Sequence, residues 1–137
     1  QAQVLALLEE LQREKQLALL FITHDLSVLT HTCKRLAVMY AGRVVEEGPS
    51  ELVFTDPQHP YSRALAAAFP TIGDDASRMH PKGLAGDPPD PADLPTGCPF
   101  HLRCAVATDE CPTLDVELRH AGPGRRAACV HVGVARV

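Results

Sequence analysis

The chain predicts an α/β fold that gives way to a loop-rich, cysteine-containing tail. Three observations predict it. An amphipathic helical stretch leads into a continuous apolar run, the pattern of a strand buried on both faces. Alternating apolar segments follow, broken at Ala41-Gly42. Four of the five cysteines then fall together beyond a stretch rich in Pro, Gly and Asp. Hydrophobic residues make up 45% of the 137, near the globular norm, so a modest core is expected. Aromatics are 4% and there is no Trp, so Leu, Val and Ala must supply most of that core.

The helical stretch covers residues 1 to about 15, with Val4, Leu7, Leu8 and Leu11 on one face. Glu9 and Arg13 form a favourable i,i+4 pair on the other side. The apolar run Leu17-Ala18-Leu19-Leu20-Phe21-Ile22-Thr23 is the expected buried strand, and it stops on His24-Asp25. In open α/β sheets, ligands sit beyond the carboxyl ends of the strands. A histidine at that edge can donate a hydrogen bond to a bound anion, or simply cap the next helix. Asp25 or Ser27 can cap a helix carrying Leu26, Leu29 and Cys33. Cys33 reads as a small buried apolar residue.

Leu36–Tyr40 and Arg43–Glu46 read as a hairpin across Ala41-Gly42. Gly48-Pro49-Ser50 breaks the chain and opens a short helix that Pro57 ends. A second helix runs from about Pro60 through Ala68, with proline in its first turn. His59-Pro60-Tyr61 carries no chemistry beyond capping and packing. From Pro70 to Pro95, repeated Pro and Gly interrupt any regular element, and Asp74, Asp75, Asp87, Asp90 and Asp93 make the segment acidic. It reads as a solvated linker rather than an acidic metal site.

Net charge is −4 with no basic cluster, which argues against a nucleic-acid face. No apolar run approaches a membrane span and no signal peptide opens the chain, so membrane association is expected to go through a partner. Five cysteines without a secretory signal favour metal or free thiol over disulfides, which are expected only in air-exposed material. Cys98, Cys104, Cys111 and Cys129 are spaced C-x5-C-x6-C-x17-C in a tail too small for its own core. A bound cofactor that organises the tail is expected. Zinc sites with four cysteines usually show paired C-x2-C knuckles, and none occurs here. Iron–sulfur clusters spread their thiolate ligands more widely. His101, His120 and His131 are spare ligands, and Arg103 is placed to stabilise an anionic cluster.

Four ordered segments resemble the ABC transporter ATPases. They are Gln1–Leu5, Phe21-Ile22-Thr23-His24-Asp25-Leu26 with Met39–Gly48, His59-Pro60-Tyr61-Ser62, and Gly97-Cys98-Pro99-Phe100-His101-Leu102-Arg103-Cys104. The last two resemble the oligopeptide/dipeptide (and nickel) permease branch. The resemblance implies that the chain is the C-terminal part of a P-loop ATPase domain. Residues 1–69 would be the end of that domain, 70–96 a linker and 97–137 a four-cysteine module. It implies that His24 is the switch histidine touching the γ-phosphate of ATP, with Asp25 steadying the turn.

The resemblance further implies that Cys98, Cys104, Cys111 and Cys129 ligate a [4Fe–4S] cluster, with Zn2+ as the alternative. No G-x-x-x-x-G-K-[ST] loop occurs. The signature loop, the acidic metal-binding strand and the catalytic glutamate are likewise missing. The chain alone is therefore expected to be inactive, and ATP and Mg2+ belong to a longer parent. Implied partners are a second ATPase subunit, two permease membrane subunits and, indirectly, a peptide-binding protein, at the cytoplasmic face of the membrane. The rival expectation is a non-catalytic metal-binding or interaction module in which His24 is scaffold.

Overall fold

Ala41 and Gly42 both have positive φ, 49° and 76°, which twists a two-residue turn in the sense that antiparallel strands need. Around that turn, β1 (Arg35–Tyr40) pairs antiparallel with β2 (Arg43–Pro49) in this computed structural model. The structure describes residues 2–24, 29, 32–68, 84 and 86–132. Strand β1 alternates strictly, with Leu36, Val38 and Tyr40 buried. Strand β2 does not alternate. A register shift between Val38 and Met39 leaves Val45 as the extra residue, so Val45 and Glu46 are buried in succession. A bulge of this kind re-aims the side chain that follows it.

Helix α1 (Ala2–Lys15) precedes the hairpin, and α2 (Ser50–Thr55) and α3 (Pro60–Ala68) follow it. Val53 of α2 is 1% exposed and joins Leu36, Val38, Tyr40 and Val45 in one core. Cys33 packs partly against that core, as expected of an apolar residue there. The Ser50 hydroxyl donates to the Cys33 carbonyl, tying the start of α2 to the segment before β1.

The tail extends the hairpin sheet. Strand β4 (Arg126–Ala127) pairs with β2, and β3 (Arg119–His120) pairs with β4, giving the order β1-β2-β4-β3 among the described residues. The Ala128 N–H donates to the Val45 carbonyl at 2.8 Å. Gly48 makes the approach feasible, because a Cβ there would lie 2.6 Å from the Cβ of Arg125. Arg125 in turn grips Asp56 through its carbonyl and its carboxylate, both at 2.8 Å. Phe100, at the entry to a short 3-10 turn (His101–Arg103), is 2% exposed and sits in the hairpin core. The tail thus shares a core instead of needing its own.

Residues 17–23 do not form the expected strand. Leu17 is 48% exposed, Leu20 88% and Ile22 91%. A strand buried on both faces requires flanking strands and covering layers, and the described sheet offers its edges elsewhere. Within the expected linker, Gly86–Pro95 is irregular, with the Ala92 N–H donating to the Asp90 carboxylate at 2.8 Å. Asp74 and Asp75, like Asp25 and Ser27, lie outside the described residues.

Candidate functional site

His24 stands exposed at a bend just past the apolar run. The structure does not place it on the cavity lined by the tail cysteines. It does bring the cysteines to one another. Cys98, Cys104, Cys111 and Cys129 line one cavity together with His59, Phe100, His101 and His131.

That cavity does not suit the expected cofactor. It encloses about 10 Å³, roughly the space of one water. Burial raises the thiols of Cys98, Cys104 and Cys129, and the neighbouring cysteines add to the effect. Among the described residues, no group of three or more His, Cys, Asp or Glu could hold a metal ion. The expectation of a [4Fe–4S] cluster or Zn2+ on Cys98, Cys104, Cys111 and Cys129 is therefore overturned. The tail is organised by sheet pairing and by Phe100 instead.

Two of the spare ligands, His101 and His131, are engaged otherwise. His101 Nδ1 lies 2.8 Å from the Cys98 carbonyl, and His131 Nε2 lies 2.8 Å from the Val106 carbonyl. His120 lies on exposed β3. Arg103 donates to the Tyr40 hydroxyl at 3.4 Å, at the edge of the hairpin core.

The most tightly built polar feature was invisible as a site in the sequence. Glu46 is fully buried. One carboxylate oxygen accepts the Gln58 N–H and the other accepts the His59 N–H, each at 2.8 Å. These bonds hold the chain where it enters α3. His59, 1% exposed, accepts the Tyr61 N–H on Nδ1 at 3.1 Å, so its proton resides on Nε2, which faces the Ala128 backbone. Burial pushes His59 down to about 4; Arg63 adds to that and the Ala128 hydrogen bond opposes it.

Tyr40, Tyr61, Phe100 and His59 stack around this point. Tyr40 and Phe100 meet edge to face at 5.2 Å, while Tyr40 and Tyr61 at 4.7 Å and His59 and Phe100 at 5.9 Å are tilted pairs. His59-Pro60-Tyr61 therefore has a defined task. It is the joint between the hairpin, α3 and the tail. The sequence carried no signal for it: β2 reads Arg43-Val44-Val45-Glu46-Glu47, and nothing in that run distinguishes the buried Glu46 from Glu47.

The model of the oligopeptide/dipeptide transporter C-terminal region matches residues 45–111, a span that runs from the bulge of β2 through the joint to Cys111. A Brucella ovis protein named for peptide import and ATP binding is 46% identical over 130 residues, 95% of this chain and 41% of that protein. The dipeptide transport ATP-binding protein DppF of Haemophilus influenzae is 42% identical over 131 residues, 96% of this chain and 40% of that protein. Its DppD counterpart is 40% identical over 129 residues. The chain matches the C-terminal region of peptide ABC transporter ATP-binding proteins. It spans about two fifths of the length of the curated relatives it matches. As an α/β chain it agrees with the fold class expected above. No helix among the described residues is long and apolar enough to cross a membrane.

Proposed function

We infer that this chain is the C-terminal portion of an ATP-binding subunit that couples ATP hydrolysis to the import of oligopeptides or dipeptides. The observation that carries the inference is identity of 40–46% across nearly the whole chain to proteins named for peptide import or dipeptide transport and for ATP binding. Residues 1–69 act as the end of the ATPase domain and 70–96 as a connecting segment. The four-cysteine module, residues 97–137, docks on that end and extends the hairpin sheet through β3 and β4.

His24 contacts the γ-phosphate and orients the attacking water. Its support is its exposed position where the apolar run ends. Catalysis of phosphoryl transfer is positioning plus electrostatic stabilisation, so one imidazole at the γ-phosphate affects turnover more than binding. The partners are a second ATPase subunit and permease membrane subunits, reached from the cytoplasmic face, with a peptide-binding protein acting indirectly.

The test is His24→Ala in the full-length protein. ATP hydrolysis should fall by about tenfold or more while nucleotide affinity stays within about twofold. Unchanged turnover would return His24 to a capping role. The 137-residue chain alone should show no nucleotide-dependent turnover above background.

A further inference from the structure

The β3–β4 hairpin joins the sheet through a short stretch of backbone. Strand β4 meets β2 at Glu46 opposite Ala127 and at Glu47 opposite Arg126, and the Ala128 N–H adds its bond to the Val45 carbonyl. A side chain from the turn between β3 and β4 secures it further. That turn closes on itself, with the Ala121 N–H donating to the Arg125 carbonyl at 3.0 Å and the Arg125 N–H to the Gly122 carbonyl at 3.2 Å. Gly122 has φ 118°, and a Cβ there would lie 2.9 Å from Arg125 Nε. The turn carries the Arg125 guanidinium to the end of α2, where it holds Asp56.

The side chain of Arg125 is 11% exposed and that of Asp56 47%. Closed, the contact gains two charge-assisted hydrogen bonds. It also strands Arg125 Nε, which is buried and has no hydrogen-bond partner among the described residues. An open hairpin returns that N–H to water. Gain and penalty therefore oppose each other on one guanidinium, as suits a contact that opens locally before the whole molecule unfolds. Asp56 is also shared. Gln58 Nε2 donates to its carbonyl at 2.8 Å and to its carboxylate at 2.9 Å. The Gln58 and His59 N–H groups in turn donate to Glu46, whose register partner Ala127 is itself fully buried. The hairpin thus reaches the entry of α3 by two routes, through Asp56 and Gln58 and over Glu46.

We propose that the β3–β4 hairpin is a flap on the edge of β2, latched by Arg125 on Asp56, and that its opening loosens the Gln58–His59 entry to α3. Salt weakens the latch, because Asp56 is half exposed and its charge is screened. The flap is then a salt-sensitive control on the joint between the hairpin, α3 and the tail. It stands independently of the reading of the chain as part of an ATPase. Arg126 supplies the internal contrast. It is the next residue along and also bonds a carboxylate, that of Glu47, but its side chain is 56% exposed and it does not contact the α2–α3 segment through that bond.

Native-state hydrogen exchange on the 137-residue chain, resolved by amide, tests it. Raising salt from about 0.1 M to about 1 M should speed exchange at Gln58, His59 and Ala128 by about threefold, while the amides that pair β1 with β2 stay unchanged. Arg125→Met should speed Gln58, His59 and Ala128 by about tenfold at low salt and cancel their salt response. Arg125→Lys keeps the charge but not the paired bonds, and should fall between wild type and Arg125→Met. Arg126→Met should leave exchange at Gln58 and His59 as in wild type. The proposal is overturned if Gln58 and His59 keep their wild-type exchange in Arg125→Met, or if salt acts on that variant as on wild type. Parallel acceleration of the β1–β2 amides would overturn it too, since the molecule then opens as a whole. So would an Arg125→Met chain that fails to fold, because a latch that opens locally is dispensable for the fold.

Discussion

The N-terminal segment and the cysteine tail invert what their compositions suggest. Residues 17–23 are almost wholly apolar, yet Leu20 and Ile22 are about nine-tenths exposed. The tail is polar, broken by prolines and glycines, yet it places Phe100, Cys111, Val116, Ala127 and Cys129 in buried positions. The difference lies in available partners. Backbone groups of the tail pair with β2, and Phe100 finds Tyr40, Tyr61 and His59. The apolar run has no strand beside it in the described sheet. Hydrophobicity supplies a driving force, but a strand also needs a neighbour for its N–H and C=O groups.

The comparison would break most visibly at Phe100. Phe100→Ala empties the contact between tail and hairpin and should cost about 3–5 kcal/mol, read as a fall in Tm or in the urea midpoint. A loss near zero would mean that the tail is not docked through this ring.

Acid should act next. His59 is held down at about 4 by burial, below its ordinary 6.5, so the folded state favours the neutral ring. Its contribution is present above about pH 6.5 and is lost as pH falls toward 4, up to about 3 kcal/mol. Glu46 accepts the His59 N–H, Arg63 acts on the ring, and Arg103 acts on neighbouring Tyr61. His59→Gln should therefore flatten that part of the stability profile between pH 7 and 4. An unchanged slope would place the sensitivity elsewhere.

Glu46→Gln keeps the shape of the side chain but turns one acceptor into a donor facing a backbone N–H. The expected cost is about 2 kcal/mol in chemical denaturation. A neutral result would show that the α3 entry is held by other contacts. At the small end, Leu20→Ser and Ile22→Ser should change stability by less than about 0.5 kcal/mol, because these side chains are already in water. A larger loss in either would show that the N-terminal segment is packed after all, and the contrast would fail.

Much of the local structure was legible in the chain. The alternation of Leu36, Val38 and Tyr40 and the Ala41-Gly42 turn specified the hairpin, because their signals act within a few residues. Pro57 and Pro60 marked the limits of α2 and α3 for the same reason. The ordered segments around His24, His59-Pro60-Tyr61 and the cysteines also sufficed to point to the right kind of relatives. Cysteine spacing suggested a cofactor, and that expectation failed, because spacing along a chain does not say how much room the folded thiols enclose.

Tertiary structure alone decided three things. It buried Glu46, because a one-residue bulge in β2 turns inward a position that strict alternation would assign elsewhere. It made His59 a neutral joint between α3 and the tail, because its partners come from segments far apart in sequence. It also gave the tail a share of the hairpin core, by adding β4 to an edge that the sequence could not reveal as open. Short-range rules govern turns, caps and alternation, whereas burial and pairing depend on which distant segment arrives to cover them.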